Sequence, residues 1–136
     1  MTWSSAYGSA TAAISLMASA SCASLSGQNA ELFSSPERHI GEHVTVSGVL
    51  SYEFEDYNLY PSADPYRDLI AGRCLPVGIA RSDEQNLARA RKWSGSRVTI
   101  QGKIEQLVGP LPEGRELISM SFCKRVGISV TKIERR

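Results

Sequence analysis

The groups with the most chemical reach in this chain are few and closely placed. The run Glu53-Phe54-Glu55-Asp56 puts three carboxylates within four positions. Such a run could hold a hard cation, which needs several oxygen ligands converging on one point. On a strand, Glu53 and Glu55 would share a face while Asp56 pointed elsewhere, so convergence would be partial. Asp64 and Asp68, in the loop that follows, could add ligands; the plainer reading is a solvated strand end. The two histidines, His39 and His43, lie before or at the start of the first predicted strand. Neither stands at metal-ligand spacing from a cysteine, and both read as solvent-facing. No G-x-S-x-G, phosphate-binding loop or dinucleotide fingerprint is present. The sequence therefore points away from an enzyme, and no metal or other cofactor is expected.

Aromatic side chains are the stronger signal. Tyr52, Phe54, Tyr57, Tyr60 and Tyr66 crowd into one segment beside these acids. Tyr52 and Phe54 follow the core register of the strand, whereas Tyr60 and Tyr66 are expected at the surface. With Glu53 and Glu55 they form the candidate ligand-binding set. The competing reading is that these aromatics only fill and cap the core. Basic residues cluster at Arg89, Arg91, Lys92 and Arg97, and again at Lys124, Arg125, Arg135 and Arg136. They read as a helix C-terminus and a solvated tail. A nucleic-acid groove would need cations beside the stacking rings, and here acids lie there instead. The formal net charge is +1, so no global field draws the chain to nucleic acid or anionic lipid.

The elements that must position these groups can be read from periodicity. Val44, Val46, Leu50, Tyr52 and Phe54 share one face of a long strand, with Gly48 among them, while Thr45, Ser47, Ser51, Glu53 and Glu55 share the other. Residues 29–33 suit a short helix stopped by Ser34-Ser35-Pro36. Asp56-Tyr57-Asn58 reads as a turn, Leu59-Tyr60 as the start of a return strand, and Pro61 to Asp68 as a loop. Cys74 to Ile79 reads as a third strand in which Pro76 demands an edge or a bulge. Ser82 is the expected N-cap of a helix with Gln85 at its third position, closed by Arg89, Arg91 and Lys92. Strands follow at Arg97–Gln106, Glu116–Phe122 and Val126–Ile133, with a turn region at Gly109-Pro110 and Pro112-Glu113-Gly114.

Two of these strands share a pattern. Gly41 to Gly48 and Gly95 to Gly102 both read G-x-x-V-T-[VI]-x-G, each followed two places on by an aliphatic residue, Leu50 and Ile104. The match describes two similar bending strands rather than a duplicated domain. Three strands, a helix, then two or three strands is the element order of an OB-type barrel. The fold expected is all-β with one or two short helices, a five- to six-stranded OB-type barrel over residues 28–136.

The N-terminal part differs in kind. From Met1 to Ala30 no side chain is charged, and small residues dominate. Ala18-Ser19-Ala20 has the small-x-small form of a signal-peptidase site, and Cys22 just beyond it stands where a lipoprotein carries its lipid. Against export stand the missing Lys or Arg near the start and Ser19 at the position where a lipoprotein signal usually has Leu. Residues 1–27 are thus a signal or lipoprotein leader, or else a disordered small-residue tail. Export would place the protein in the bacterial cell envelope, periplasmic or lipid-anchored at Cys22; the alternative is the cytoplasm. Cys74 and Cys123 then remain as an even pair, each on the face opposite its strand's apolar residues, and could bridge across the outside of a barrel. Closing a loop of about 50 residues contributes roughly 4 kcal/mol in the chain-entropy model. In the cytosol two free thiols are expected instead.

The middle of the chain also carries a resemblance. Gly41 to Tyr60 reads G-x-x-V-x-V-x-G-x-L-x-x-E-F-E-x-x-x-L-Y, with Tyr66 a little further on. The matching residues are Val46, Gly48, Leu50, Glu53, Phe54, Glu55, Leu59, Tyr60 and Tyr66. The pattern resembles a set of small bacterial proteins with OB-type barrels and unassigned activity. The resemblance implies the fold and brings no catalytic motif with it. Together these readings favour an exported or membrane-tethered binding module whose ligand is a protein, a glycan or a cation, meeting membrane only through a lipid anchor or leader. The alternative is a single-stranded nucleic-acid-binding protein of the same fold.

Overall fold

The computed structural model describes residues 2, 29–107, 117–118 and 123–136. Helix α1 covers residues 29–34 and is followed by a 3₁₀ turn, Pro36–His39. The remaining elements are β1 (His43–Glu53), β2 (Asp56–Tyr60), α2 (Pro65–Ile70), β3 (Leu75–Ala80), α3 (Glu84–Trp93), β4 (Arg97–Gln106), β5 (Leu117–Ile118) and β6 (Val126–Arg135). β1 pairs antiparallel with β2 and β4, β4 with β6, and β2 with β3, while β3 runs parallel to β6. The circuit β1-β2-β3-β6-β4 closes a five-stranded barrel of OB type, with β5 added to β3 as a sixth strand. The interior is aliphatic: Val46, Leu50, Leu59, Leu75, Ile79, Ile100, Ile104, Ile128 and Ile133 have no or almost no exposed surface.

The shared octet has a physical basis. β1 and β4 lie against each other so that Val46 opposes Ile100, Val44 opposes Gly102 and Gly48 opposes Val98. The two copies are thus related by a local two-fold centred on Val46 and Ile100. The ends obey the same symmetry: Gly41 N–H donates to Ile104 O and Gly95 N–H to Leu50 O, both at 2.7 Å. Gly41 and Gly95 have φ of +92° and +87°, the left-handed region that glycine adopts without strain. The inner glycines serve close approach. A Cβ on Gly48 would lie 2.5 Å from Tyr60 O, and one on Gly102 would lie 2.1 Å from Ser129 O. Gly102 also stands at a bulge, where β6 inserts Thr131 between the pairs Gln101–Lys132 and Gly102–Val130. The Thr131 carbonyl freed there accepts from Asn86 Nδ2 at 3.0 Å, and Ile133 N–H donates to Asn86 Oδ1 at 3.2 Å. One buried amide therefore docks α3 onto the bulge.

Several sequence expectations need correction. The N-cap of α3 is Asp83, which accepts from Asn86 N, and not Ser82. An acidic side chain one residue nearer the helix does the capping. The hairpin turn is Phe54-Glu55, not Asp56-Tyr57-Asn58, because Glu53 pairs with Asp56 and β2 begins at once. The segment expected as a loop from Pro61 to Asp68 contains most of α2. Its Asp64-Pro65 pair is an N-cap with proline at the first helical position. Pro76 is neither on an edge nor in a bulge. It opposes Asn58 at the end of the β2–β3 ladder, which holds only the pairs Asn58–Pro76 and Leu59–Leu75. Of the strand expected at Glu116–Phe122, Leu117 and Ile118 are described and form β5. The leader with Cys22, and the glycine–proline turns after Leu107, lie outside the described residues.

Candidate functional site

The β1–β2 hairpin decides where the predicted site residues go. With Glu53 opposite Asp56, Phe54 and Glu55 form a two-residue loop in which Glu55 has φ +66°. Strand alternation therefore stops one residue before Phe54. Its ring is not in the core as expected but 74% exposed at the hairpin tip. Tyr52 is buried as expected; burial pushes its phenol up to about 12.

Asp56, Asn58 and Tyr60 alternate along β2 and share a face. Asp56 accepts from Ser51 Oγ at 2.6 Å, Tyr60 Oη at 2.7 Å and Asn58 Nδ2 at 2.8 Å. This network corrects the expectation for Tyr60, which is buried rather than exposed. Burial, and then the hydrogen bond to Asp56, hold its phenol well above the usual tyrosine range. Sequence reasoning missed the network, although its signal, D-x-N-x-Y at period two, was present.

Helix α2 is built inside out. Its aspartate, Asp68, is buried and accepts from Ser62 N at 3.0 Å and Ser62 Oγ at 2.6 Å, with Arg73 Nε at 3.6 Å. Its apolar residues face outward. Tyr66 is 75% exposed, Leu69 45% and Ile70 69%. They stand at i, i+3 and i+4, one contiguous stripe on the helix. An ordinary amphipathic helix turns that stripe inward.

Between hairpin and helix lies a groove of about 370 Å³ whose walls include Glu55, Asp56, Tyr60, Tyr66, Leu69 and Cys123. It unites three of the four predicted ligand-binding residues, Glu55, Tyr60 and Tyr66. Glu53 is exposed at the end of β1 and is not among the lining residues. Only Tyr66 and Glu55 offer free surface, because the Tyr60 hydroxyl is engaged by Asp56. A second cleft, of about 360 Å³, lies beside Phe33, Ser62, Arg67, Asp68 and Arg73. Among the described residues no group of three or more His, Cys, Asp or Glu converges as metal ligands. His39 instead pairs with Glu42 at 2.7 Å.

Cys74 and Cys123 form a disulfide, with a Cα–Cα distance of 6.4 Å and a sequence separation of 49. Their setting differs from expectation, since Cys74 is buried rather than facing outward. β3 is covered on both faces from Leu75 to Ile79. On the disulfide side, Lys124 Nζ reaches the carbonyls of Gly72 and Cys74 and lies 3.5 Å from Cys74 Sγ. Burial pushes the Lys124 amine down from the usual lysine range. Lys124 thus belongs to the disulfide, whereas Arg135 and Arg136 join the cations around α3. No family model, curated protein or solved structure matches this chain.

Proposed function

We propose that this chain is an exported or membrane-tethered binding module of the bacterial cell envelope, and that its ligand is a segment of a partner protein held between the β1–β2 hairpin and α2. The observation that carries this reading is the inverted helix. A six-residue helix that buries Asp68 and exposes Tyr66, Leu69 and Ile70 spends apolar surface on solvent. Contiguous exposed apolar surface rimmed by polar groups is characteristic of a protein-binding site. Phe54 adds a further exposed ring.

Among the three ligand classes, chemistry favours protein. A glycan would be read by free hydroxyl, amide and carboxylate groups. The buried polar groups of this groove satisfy one another, because Asp56 accepts from Ser51, Asn58 and Tyr60, which leaves the Glu55 carboxylate and the Tyr66 hydroxyl as its open polar groups. Leucine and isoleucine add nothing to sugar recognition. A hard cation needs more converging oxygens than Glu55 and an Asp56 already engaged can supply. What the groove offers is a tyrosine face and aliphatic surface with Glu55 and the engaged Asp56 in its wall. That suits an apolar anchor flanked by Lys or Arg. The same acids disfavour single-stranded nucleic acid at this groove.

The test is site-specific crosslinking in cells, with a photoreactive phenylalanine analogue at Tyr66 or at exposed Thr131 on the far side of the barrel. A discrete protein adduct from position 66 that is absent from position 131 is expected. No adduct at 66, or the same adducts from both positions, would overturn the reading. The mass of the mature N-terminus tests export separately.

A further inference from the structure

The cations that the sequence keeps in two groups meet on one face. α3 ends at Arg91, Lys92 and Trp93, and β4 begins two residues beyond Gly95, at Arg97. Arg135 opposes Val98 across the β4–β6 ladder, and Arg136 N–H donates to Arg97 O at 3.3 Å. Arg89 lies beneath them, its guanidinium 5.9 Å over the Trp93 ring and its Nη1 donating to Ile133 O at 3.3 Å. A groove of about 510 Å³ joins Arg89, Trp93, Lys132 and Arg135. Residues 89–97 and 132–136 thus carry seven Lys and Arg and a single acid, Glu134, which Lys132 engages at 2.7 Å. Residues 53–68 carry five acids and one Arg. The near-neutral total thus conceals one basic patch and one acidic patch.

We propose that the face formed by the end of α3, the start of β4 and the end of β6 binds the phosphate headgroups of an anionic lipid bilayer. The helix dipole accounts for Arg91 and Lys92 at a C-terminus, but not for Arg97, Lys132 and Arg135, which lie on strands, or for Arg136, one residue past the end of β6. These six side chains are all exposed. Their ammonium and guanidinium groups complement phosphate and are drawn to an anionic surface while screened by salt. A lipid surface is favoured over single-stranded nucleic acid because Trp93, the one aromatic ring on this face among the described residues, is half-buried and covered by Arg89. Stacking of bases needs an open ring. The surface is separate from the hairpin groove and does not depend on its role.

The test is vesicle co-sedimentation of the full chain as purified from its own cells. One vesicle type is phosphatidylcholine alone, the other contains about a third phosphatidylglycerol. A lipid at Cys22 would act on both alike, so the difference isolates the cations. Binding to the anionic vesicles is expected to be roughly tenfold tighter or more, and to weaken between about 0.05 and 0.3 M salt. R91E/K92E and R135E/R136E, two independent exposed pairs whose melting should match the parent, should each abolish the preference; E53Q/E55Q should not weaken it. Equal binding to both vesicle types, or a preference that survives both reversals, would overturn the proposal. So would tighter binding to a single-stranded oligonucleotide than to the vesicles, which would reassign the face to nucleic acid. Displacement by millimolar inorganic phosphate alone would instead mark a discrete anion site and also overturn it.

Discussion

The two sides of this barrel are closed by different means. On one side, β1, β4 and β6 form long ladders: Val44, Val46 and Gly48 interlock with Gly102, Ile100 and Val98, and β4 follows β6 from Val98 to Gln106. On the other, β2 meets β3 through two residue pairs, and Pro76, which has no N–H to donate, ends that seam. The long ladders carry no disulfide, whereas the Cys74–Cys123 disulfide ties the start of β3, immediately before Leu75, to the segment that leads into β6. The outward-facing apolar stripe of α2 and its groove lie beside the seam. The basic face lies on the ladders. In this molecule the candidate protein-binding surface sits beside a two-pair seam rather than a long ladder, and local stability there rests on side chains and on the crosslink at the start of β3.

The largest expected effect comes from removing that crosslink. C74A/C123A should lower unfolding free energy by about 4 kcal/mol in the chain-entropy limit. Hydrogen exchange should localise the loosening, with amides at Leu59 and Leu75 accelerating before those at Val46 and Ile100. Uniform acceleration would mean that the two sides form one cooperative unit and the contrast fails. The ladder side breaks through its glycines. Gly102→Val should cost roughly 3 kcal/mol, because the added carbon meets the Ser129 backbone, which cannot move aside without opening the bulge. Gly48→Val should cost roughly 2 kcal/mol, since two of its three nearest neighbours, Leu59 and Phe33, are side chains that can shift. Chemical denaturation of each variant checks the order.

A third substitution probes the polar wall of the groove. Asp56→Ala leaves the buried Tyr60 hydroxyl and Asn58 amide without the acceptor they share, and should cost about 1–3 kcal/mol. Asp56→Asn, which keeps one carbonyl acceptor, should recover part of that loss. An Ala variant as stable as the parent would mean that water replaces the carboxylate and that the wall is not preorganised.

Alternation made β1 legible because one of its faces is fully buried and the other is not, and this also gave the barrel. The same rule failed at Phe54, because period two specifies the face and not the residue at which a strand stops. Tyr60 was misread because β2 is buried on both faces, by the barrel through Leu59 and by Asp56 through the phenol. Cys74 failed for the related reason that β3 is covered outside as well as inside. The site was half legible: acids and aromatics in one segment pointed to Glu55 and Tyr66. The inverted orientation of α2 was hidden, since it depends on Ser62 and Arg73 drawing Asp68 inward. The joining of the two basic clusters was hidden too, because it follows from the β4–β6 register.

The smallest expected effect acts on the ladder side alone. His39, on the 3₁₀ turn beside the start of β1, has Nδ1 2.7 Å from Glu42 Oε2 and Nε2 3.5 Å from Glu31 Oε2. The Glu42 hydrogen bond, opposed by burial and helped by the charges of Glu42 and Glu31, raises the imidazole above the usual histidine value. A raised folded value means that the folded state holds the proton more tightly than the unfolded chain does. The stabilisation is therefore complete below about pH 6.5, the unfolded value, and is lost as pH rises through the folded one. Glu42→Gln should move the His39 titration, followed by NMR, back toward the ordinary value and flatten the decline of Tm over that window. Glu42 O also accepts from Ile104 N–H at 2.9 Å, so raising the pH should lower the protection of Ile104 relative to its base-catalysed intrinsic exchange rate and leave the protection of Leu59 and Leu75 unchanged. Reduction of the disulfide should do the reverse. Two perturbations acting on opposite sides, each silent on the other, would establish that the closures are independent; crosstalk between them would show that the seam borrows its stability from the ladders.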